Sequence, residues 1–201
     1  MAYQIYFQID ISDGIFVKNK TVQIDEINSY LVRALRAMPL QFNDIFFDFH
    51  LMVKDFESDI NKINKLKTVL NIKNIFIHYS VFPNPYPLVP NPSFNIGLTL
   101  NPEDQVSDLA SHYPLNTIPC LQIMSVVPGV QGNPFIPETL NKIEQLRVLG
   151  YKSKIFLDGA VNDKTLPIIN KLKYKSDFIC PGSYLTKAKD LEKNVKYLEE
   201  F

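Results

Sequence analysis

The stretch that decides the fold runs Leu121-Gln-Ile-Met-Ser-Val-Val-Pro-Gly-Val-Gln-Gly-Asn-Pro-Phe-Ile-Pro137. Leu121–Val126 reads as a β-strand, and the glycine- and proline-containing residues after it read as a loop. Pro137 can open a helix because its fixed φ suits the first turn and its missing N–H is not needed there. Leu140, Ile143 and Leu146 then share one face, and Gly150 can close the helix. Ile155–Leu157 reads as the next strand, ending on Asp158-Gly159. Strand, loop, helix and strand in this order make one unit of a parallel α/β fold.

Working outward, the same rhythm recurs. Ile5–Ile9, Ile45–Phe49, Ile75–Ile77, Phe94–Leu98 and Phe178–Cys180 are further strand candidates. Several are nearly continuous in Ile, Phe and Val, as suits a parallel strand buried on both faces. Ile24, Ile27, Leu31 and Leu35 share a helical face, and so do Phe56, Ile60, Ile63 and Val69 or Leu70. Asn162 is placed to cap a helix through Leu166 and Ile169, with Pro167 in its first turns. A last helix from about Ala188 to Leu198 carries Leu191, Val195 and Leu198 on one stripe. Phe82–Pro92 holds Pro83, Pro85, Pro87, Pro90 and Pro92, which excludes a helix and predicts an extended loop. The expectation is a single domain over 1–201, a TIM-type (β/α) barrel with seven recognisable strands where a closed barrel has eight.

Composition narrows the function. Lys+Arg and Asp+Glu both number 21, so the formal net charge is zero. No long-range field gathers nucleic acid or an anionic membrane, so neither is expected as a partner. No apolar run approaches the ~20 residues that span a bilayer. The two cysteines, Cys120 and Cys180, lie in separate strand-like runs and read as free thiols suited to a reducing, cytoplasmic setting. Association into a homo-oligomer is left open.

Chemistry in parallel α/β folds collects where strands end. Asp10, His50, His78 and Asp158 each close a predicted strand. Taken singly, each has an ordinary alternative: an Asp there often caps the next helix, and a lone His is often a satisfied core group. Their shared placement favours a site.

Six motifs in order sharpen this. They are Asp10-Ile-Ser-Asp13-Gly14-Ile-Phe16-Val17-Lys-Asn19, Phe49-His50-Leu51-Met52-Val53, Gly97-Leu-Thr-Leu-Asn101-Pro102, Met124 through Pro137, Asp158-Gly159-Ala160-Val161-Asn162 and Pro181-Gly182-Ser183. Together they resemble the ribulose-phosphate 3-epimerase family over nearly the whole chain. The resemblance implies inversion at a carbon beside the ketone of a ketose phosphate, through an enediolate stabilised by a divalent cation. Asp10 and Asp158 match the family's two proton-transferring carboxylates. Asp10, His50 and Asp158 match three metal ligands, and Gln8 stands where the fourth is a histidine. Met52 and Met124 match residues lining the reacting carbon, with core filling as the alternative; Ser12 replaces a methionine of that lining. Gly132, Gly159, Gly182 and Ser183 match the loops that hold phosphate, where glycine lets backbone amides approach an anion.

The departures shape the functional expectation. A Gln carbonyl is a neutral, hard donor and a poor substitute for imidazole at zinc. The implied cation, Zn²⁺, Mn²⁺, Fe²⁺ or Mg²⁺, is therefore expected in a weaker oxygen-rich site or not at all. Gln131 and Ala160 replace glycines of the phosphate loops, Val127 replaces an asparagine, and Ser80 replaces a glutamate. The family's opening strand and helix have no counterpart before Gln8, which predicts an open barrel, one completed by a partner, or a truncated chain. An epimerase-like isomerase is the first expectation. A non-catalytic sugar-phosphate-binding or regulatory relative is the second, and a phosphosugar lyase or synthase on the same fold is the third.

Overall fold

The computed structural model describes residues 5–27, 29–30, 45–82 and 93–200. They fall into two compact units, Met1–Ile77 with Val89–Gly97, and His78–Leu88 with Leu98–Phe201.

The first unit is built on β1 (Ile5–Ser12), β2 (Ile45–Met52) and β3 (Asn71–His78, all but its last residue). β1 lies parallel to β2 without a break in register, and β2 lies parallel to β3 with one shift between Phe47 and Asp48. At that irregularity the Asp48 carboxylate accepts from the Asn74 backbone N–H at 3.0 Å and from its side-chain amide at 2.8 Å. A side chain thus serves a backbone donor at the irregularity, as a buried N–H requires. Ile11, Phe49, Leu51, Ile75, Phe76 and Ile77 are fully buried. Ile75–Ile77 is the continuous apolar run of a strand buried on both faces, whereas β1 and β2 alternate, Gln8, Asp10 and Ser12 with Ile9 and Ile11, and Asp48 and His50 with Phe47, Phe49 and Leu51.

Helix α1 (Phe56–Leu66) follows β2 and buries Phe56, Ile63 and Leu66. Asp55 caps it, accepting from Ser58 N at 3.2 Å, with Glu57 and Asp59 in the first turn and Lys65 in the last. That charge order complements the helix dipole. The helix stops before Val69 and Leu70, which the sequence pattern placed on its face. The N–H groups of both fold back onto the Leu66 carbonyl, leaving Leu70 buried and Val69 exposed. Residues 24–27 are helical with Ile24 and Ile27 buried. Leu31, Leu35 and the prolines from Pro83 to Pro92 lie outside the described residues.

The second unit takes up the end of β4 (Asn95–Leu100), then β5 (Cys120–Met124), β6 (Lys154–Asp158) and β7 (Phe178–Cys180), each parallel to the next. Its helices are α2 (Val106–His112), α3 (Asn141–Val148), α4 (Leu166–Ile169), α5 (Gly182–Thr186) and α6 (Leu191–Glu199). Pro137 begins a 3₁₀ turn, Pro137–Leu140, that leads into α3. Gly150 ends α3 at φ +85°, where Gly150 N bonds Arg147 O and Tyr151 N bonds Leu146 O, the paired pattern of a left-handed helix stop. Asn162 accepts from Lys164 N and Thr165 N, so it caps the turn that leads into α4, and Pro167 sits in that helix's first turn. Helix α6 begins later than Ala188, because Asp190 caps it by accepting from Lys193 N.

In each unit successive strands are parallel neighbours and helices follow them, the winding of a TIM-type (β/α) barrel. Seven strands are recognisable among the described residues. Cys120 is buried and Cys180 is half-buried. Among the described residues no helix is long and apolar enough to cross a membrane.

Candidate functional site

Register builds the first half of the site. Asp10 pairs with His50, Ser12 with Met52 and Gln8 with Asp48 across β1 and β2. Alternate residues of a strand share a face, so these six side chains project together. His50 Nδ1 lies 3.2 Å from Asp10 Oδ1, with the imidazole buried and the carboxylate 52% exposed. Gln8 donates from Nε2 to the same Asp10 oxygen at 3.3 Å. Burial alone raises the Asp10 carboxyl's pKa, but the hydrogen bond and charge of His50 and the Gln8 amide outweigh it, so the group stays below its ordinary value. Ser12 and Met52 are buried beside this pair.

The loop leaving β1 is tied down by Asp13, to which the sequence reading assigned no role. Its Oδ1 accepts from Ile15 N and Phe16 N at 2.7 and 2.8 Å, and its Oδ2 accepts from Lys54 N at 2.9 Å. One carboxylate thereby joins the loops after β1 and β2. Slight burial works the other way, but the amides of Lys54, Phe16 and Ile15 hold its pKa below the usual carboxylate value. An Asp-Gly pair after a strand, with Gly14 at φ +78°, is the signal that marks such a turn.

In the second unit Asp158 ends β6 opposite Met124 on β5. Its Oδ2 accepts from Gln122 Nε2 at 3.0 Å, and the same amide group contacts Met124 Sδ at 3.6 Å. Ser125 is fully buried and its hydroxyl lies 2.9 Å from Asp158 O and 2.6 Å from Gly159 O, while its N–H donates to Asp158 O at 2.7 Å. The turn after the carboxylate is therefore pinned from the neighbouring strand. Gly159 is required there: at φ +110°, a Cβ would lie 2.6 Å from Val126 Cγ2. Ala160, where the family pattern has a second glycine, is held at φ 51°.

The loops matched to phosphate binding lie in this unit as well. Gly132 (φ +95°) sits in the loop after β5, which is folded by Asn133 donating to Val127 O at 2.7 Å. Gly182 and Ser183 open α5 directly after β7. A Cβ at Gly132 or Gly182 would meet nothing within 4 Å, so packing does not explain the choice of glycine at either position. His78 is fully buried at the end of β3, and Asn101 donates to Ser80 Oγ at 3.4 Å.

The structure thus brings Gln8, Asp10, His50, Ser12 and Met52 together in one unit. In the other it brings Met124, Asp158 and Gly159 together. Asp10 and His50 offer a carboxylate oxygen and an imidazole nitrogen, a donor pair suited to a divalent transition metal. Gln8 presents its amide N–H to Asp10, which fits a group that orients a ligand. Gln122 and Ser125 escaped the sequence reading. Gln122 acts on Asp158 from within β5 and Ser125 acts on its turn from just beyond the end of that strand, and no sequence spacing encodes either pairing.

The sequence profile of the ribulose-phosphate 3 epimerase family matches residues 4–186. Among curated proteins, the chain is 28% identical to the ribulose-phosphate 3-epimerase of Methanocaldococcus jannaschii over 97% of its own length and 78% of the relative's. It is 27% identical to the enzyme of that name from Helicobacter pylori (strain 26695) over 96% and 85%, and 26% identical to the Bacillus subtilis one over 93% and 82%.

Proposed function

Because the chain belongs to the ribulose-phosphate 3-epimerase family, we propose that it inverts the carbon beside the ketone of a ketose phosphate, with Asp10 and Asp158 as its two proton-transferring carboxylates. The observation that carries this reading is the Asp10–His50 pair, 3.2 Å apart at the ends of β1 and β2, at positions matching the family's carboxylate and metal-ligand histidine. Asp158 ends β6 and matches the second carboxylate.

Inversion needs one group to remove the proton from one face of the carbon and another to deliver a proton to the opposite face. A carboxylate held ionised at neutral pH serves as the base. Asp10 meets that condition, since His50 and Gln8 keep its pKa low. The second group begins protonated and ends ionised, and Asp158 takes this role in one direction of the reaction. In the reverse direction the roles exchange. Asp10, His50 and Asp158 would hold a divalent cation, Zn²⁺, Mn²⁺, Fe²⁺ or Mg²⁺, which when bound stabilises negative charge developing on the ketone oxygen. Gln8 orients Asp10. Gly132, Gly159, Gly182 and Ser183 are proposed to present backbone N–H groups, and Ser183 its hydroxyl, to the phosphate. Buried Met52 and Met124 are proposed to keep the reacting carbon dry.

The test is solvent exchange. With Mn²⁺ and ribulose phosphate in deuterated water, the protein should place deuterium at the carbon beside the ketone, and Asp158→Asn should abolish inversion at that carbon while leaving phosphate-dependent thermal stabilisation nearly intact. Folded protein that exchanges no deuterium with any of the four cations sinks the reading. Gln8 in the histidine position favours one competitor, a non-catalytic sugar-phosphate binder, whose signature is ligand-induced stabilisation without exchange.

A further inference from the structure

We infer that Gln122 is a positioning residue for Asp158, retained for orientation of the carboxylate at a cost in fold stability; this rests on the proposed role of Asp158 in proton transfer. Gln122 lies in the middle of β5, fully buried, with Thr99 and Phe156 as its register partners on the flanking strands. Its carbonyl Oε1 is buried with no hydrogen-bond partner among the described residues. A primary amide in that position is a poor choice for packing, since a buried acceptor without a donor forfeits the hydrogen bonds it had in water. An apolar side chain of similar length would fill the same space without that loss.

The compensation lies at the other end of the amide. Its NH₂ group faces Asp158 Oδ2 at 3.0 Å and Met124 Sδ at 3.6 Å, so the donor is fixed on two sides. Asp158 is the last residue of β6, and its main chain is already held by Ser125. With the backbone fixed by one neighbour and the carboxylate by another, the orientation of the group is set before substrate arrives. Preorganisation of this kind lowers the reorganisation needed at the moment of proton transfer. Gln122 touches no reacting atom; it acts through Asp158.

The test uses Gln122→Leu and Gln122→Met in the full chain, with kcat and KM for ribulose phosphate, Mn²⁺ affinity and melting temperature measured for each. Two variants guard against one that fails to fold, and kcat is taken per folded molecule. The expected result is a melting temperature equal to or above wild type and a kcat lower by about 10-fold or more, with KM changed by less than about 2-fold. Mn²⁺ affinity should fall by roughly 10-fold, as for loss of an outer hydrogen bond to a ligand. A kcat and Mn²⁺ affinity within about 2-fold of wild type overturn the inference and leave the proposed reaction standing. So does a variant that loses stability yet keeps both, since that marks a structural residue. Wild-type protein that binds Mn²⁺ without exchanging protons sinks the proposed reaction, and the affinity change then decides the role of Gln122. Wild-type protein that neither exchanges protons nor binds Mn²⁺ sinks both.

Discussion

Gly159 and Ala160 follow Asp158 in succession, both at positive φ, and they respond to substitution in opposite ways. Gly159→Ala adds a Cβ 2.6 Å from Val126 Cγ2 and strains φ as well, so it should lower stability by about 2–4 kcal/mol. Adding Val126→Ala should recover only part of that loss, since the side-chain clash is relieved while the 3.0 Å approach to Val126 N and the backbone strain remain. Ala160→Gly removes left-handed strain of ~1–2 kcal/mol against a chain-entropy cost of ~0.5–1 kcal/mol. The net should be a gain of roughly 0.5 kcal/mol, read from urea midpoints. The Asp-Gly turn was legible in the sequence because only glycine tolerates that geometry. Gln122 was not, because its partner is 36 residues away and is set by the pairing of β5 with β6.

At the scale of elements, α3 offers a clean test of a helix stop. Gly150 sits at φ +85° with open space where a Cβ would go, so Gly150→Ala changes backbone strain and nothing else nearby. The expected loss is about 1 kcal/mol, a fall in melting temperature of about 2–4 °C. The strands were the most legible elements, because burial on both faces makes Ile75–Ile77 and Ile155–Leu157 continuous in apolar residues. Helix ends were less so. Nothing local distinguishes Val69 and Leu70 from helical residues; their N–H groups turn back onto Leu66 only in the folded chain. Likewise the apolar stripe of α6 suggested a buried face, yet Leu191 and Val195 are exposed.

For the molecule as a whole, two acids pull stability in opposite directions with pH. Asp177 is partly buried, but the Ile155 N–H together with Lys154 and Arg147 holds its pKa below the ordinary 3.8. Its contribution is present above the unfolded value and is lost as pH falls through the folded one. Asp177→Asn should therefore destabilise at pH 7 and flatten the acid limb below pH 4. Asp48 is the reverse case: desolvation pushes its pKa up to about 7 despite the bonds from Asn74. Its penalty is absent below the unfolded value and grows as pH rises towards the folded one. Asp48→Asn should change little at pH 3 and should stabilise by up to roughly 4 kcal/mol at pH 8, checked by urea unfolding across that range. Neither acid was readable as such from the chain, since both depend on what folding brings beside them.

The ammonium of Lys142 is buried, and it donates to the backbone carbonyls of Pro102 and Asp104 in the turn after β4. An acylating reagent that tags accessible amines should therefore spare Lys142 in native protein while labelling Lys154 and other exposed lysines within minutes. Mass-spectrometric appearance of a tag on Lys142 then times the release of the 102–104 turn, a clock for local opening that needs no substrate and no engineered probe.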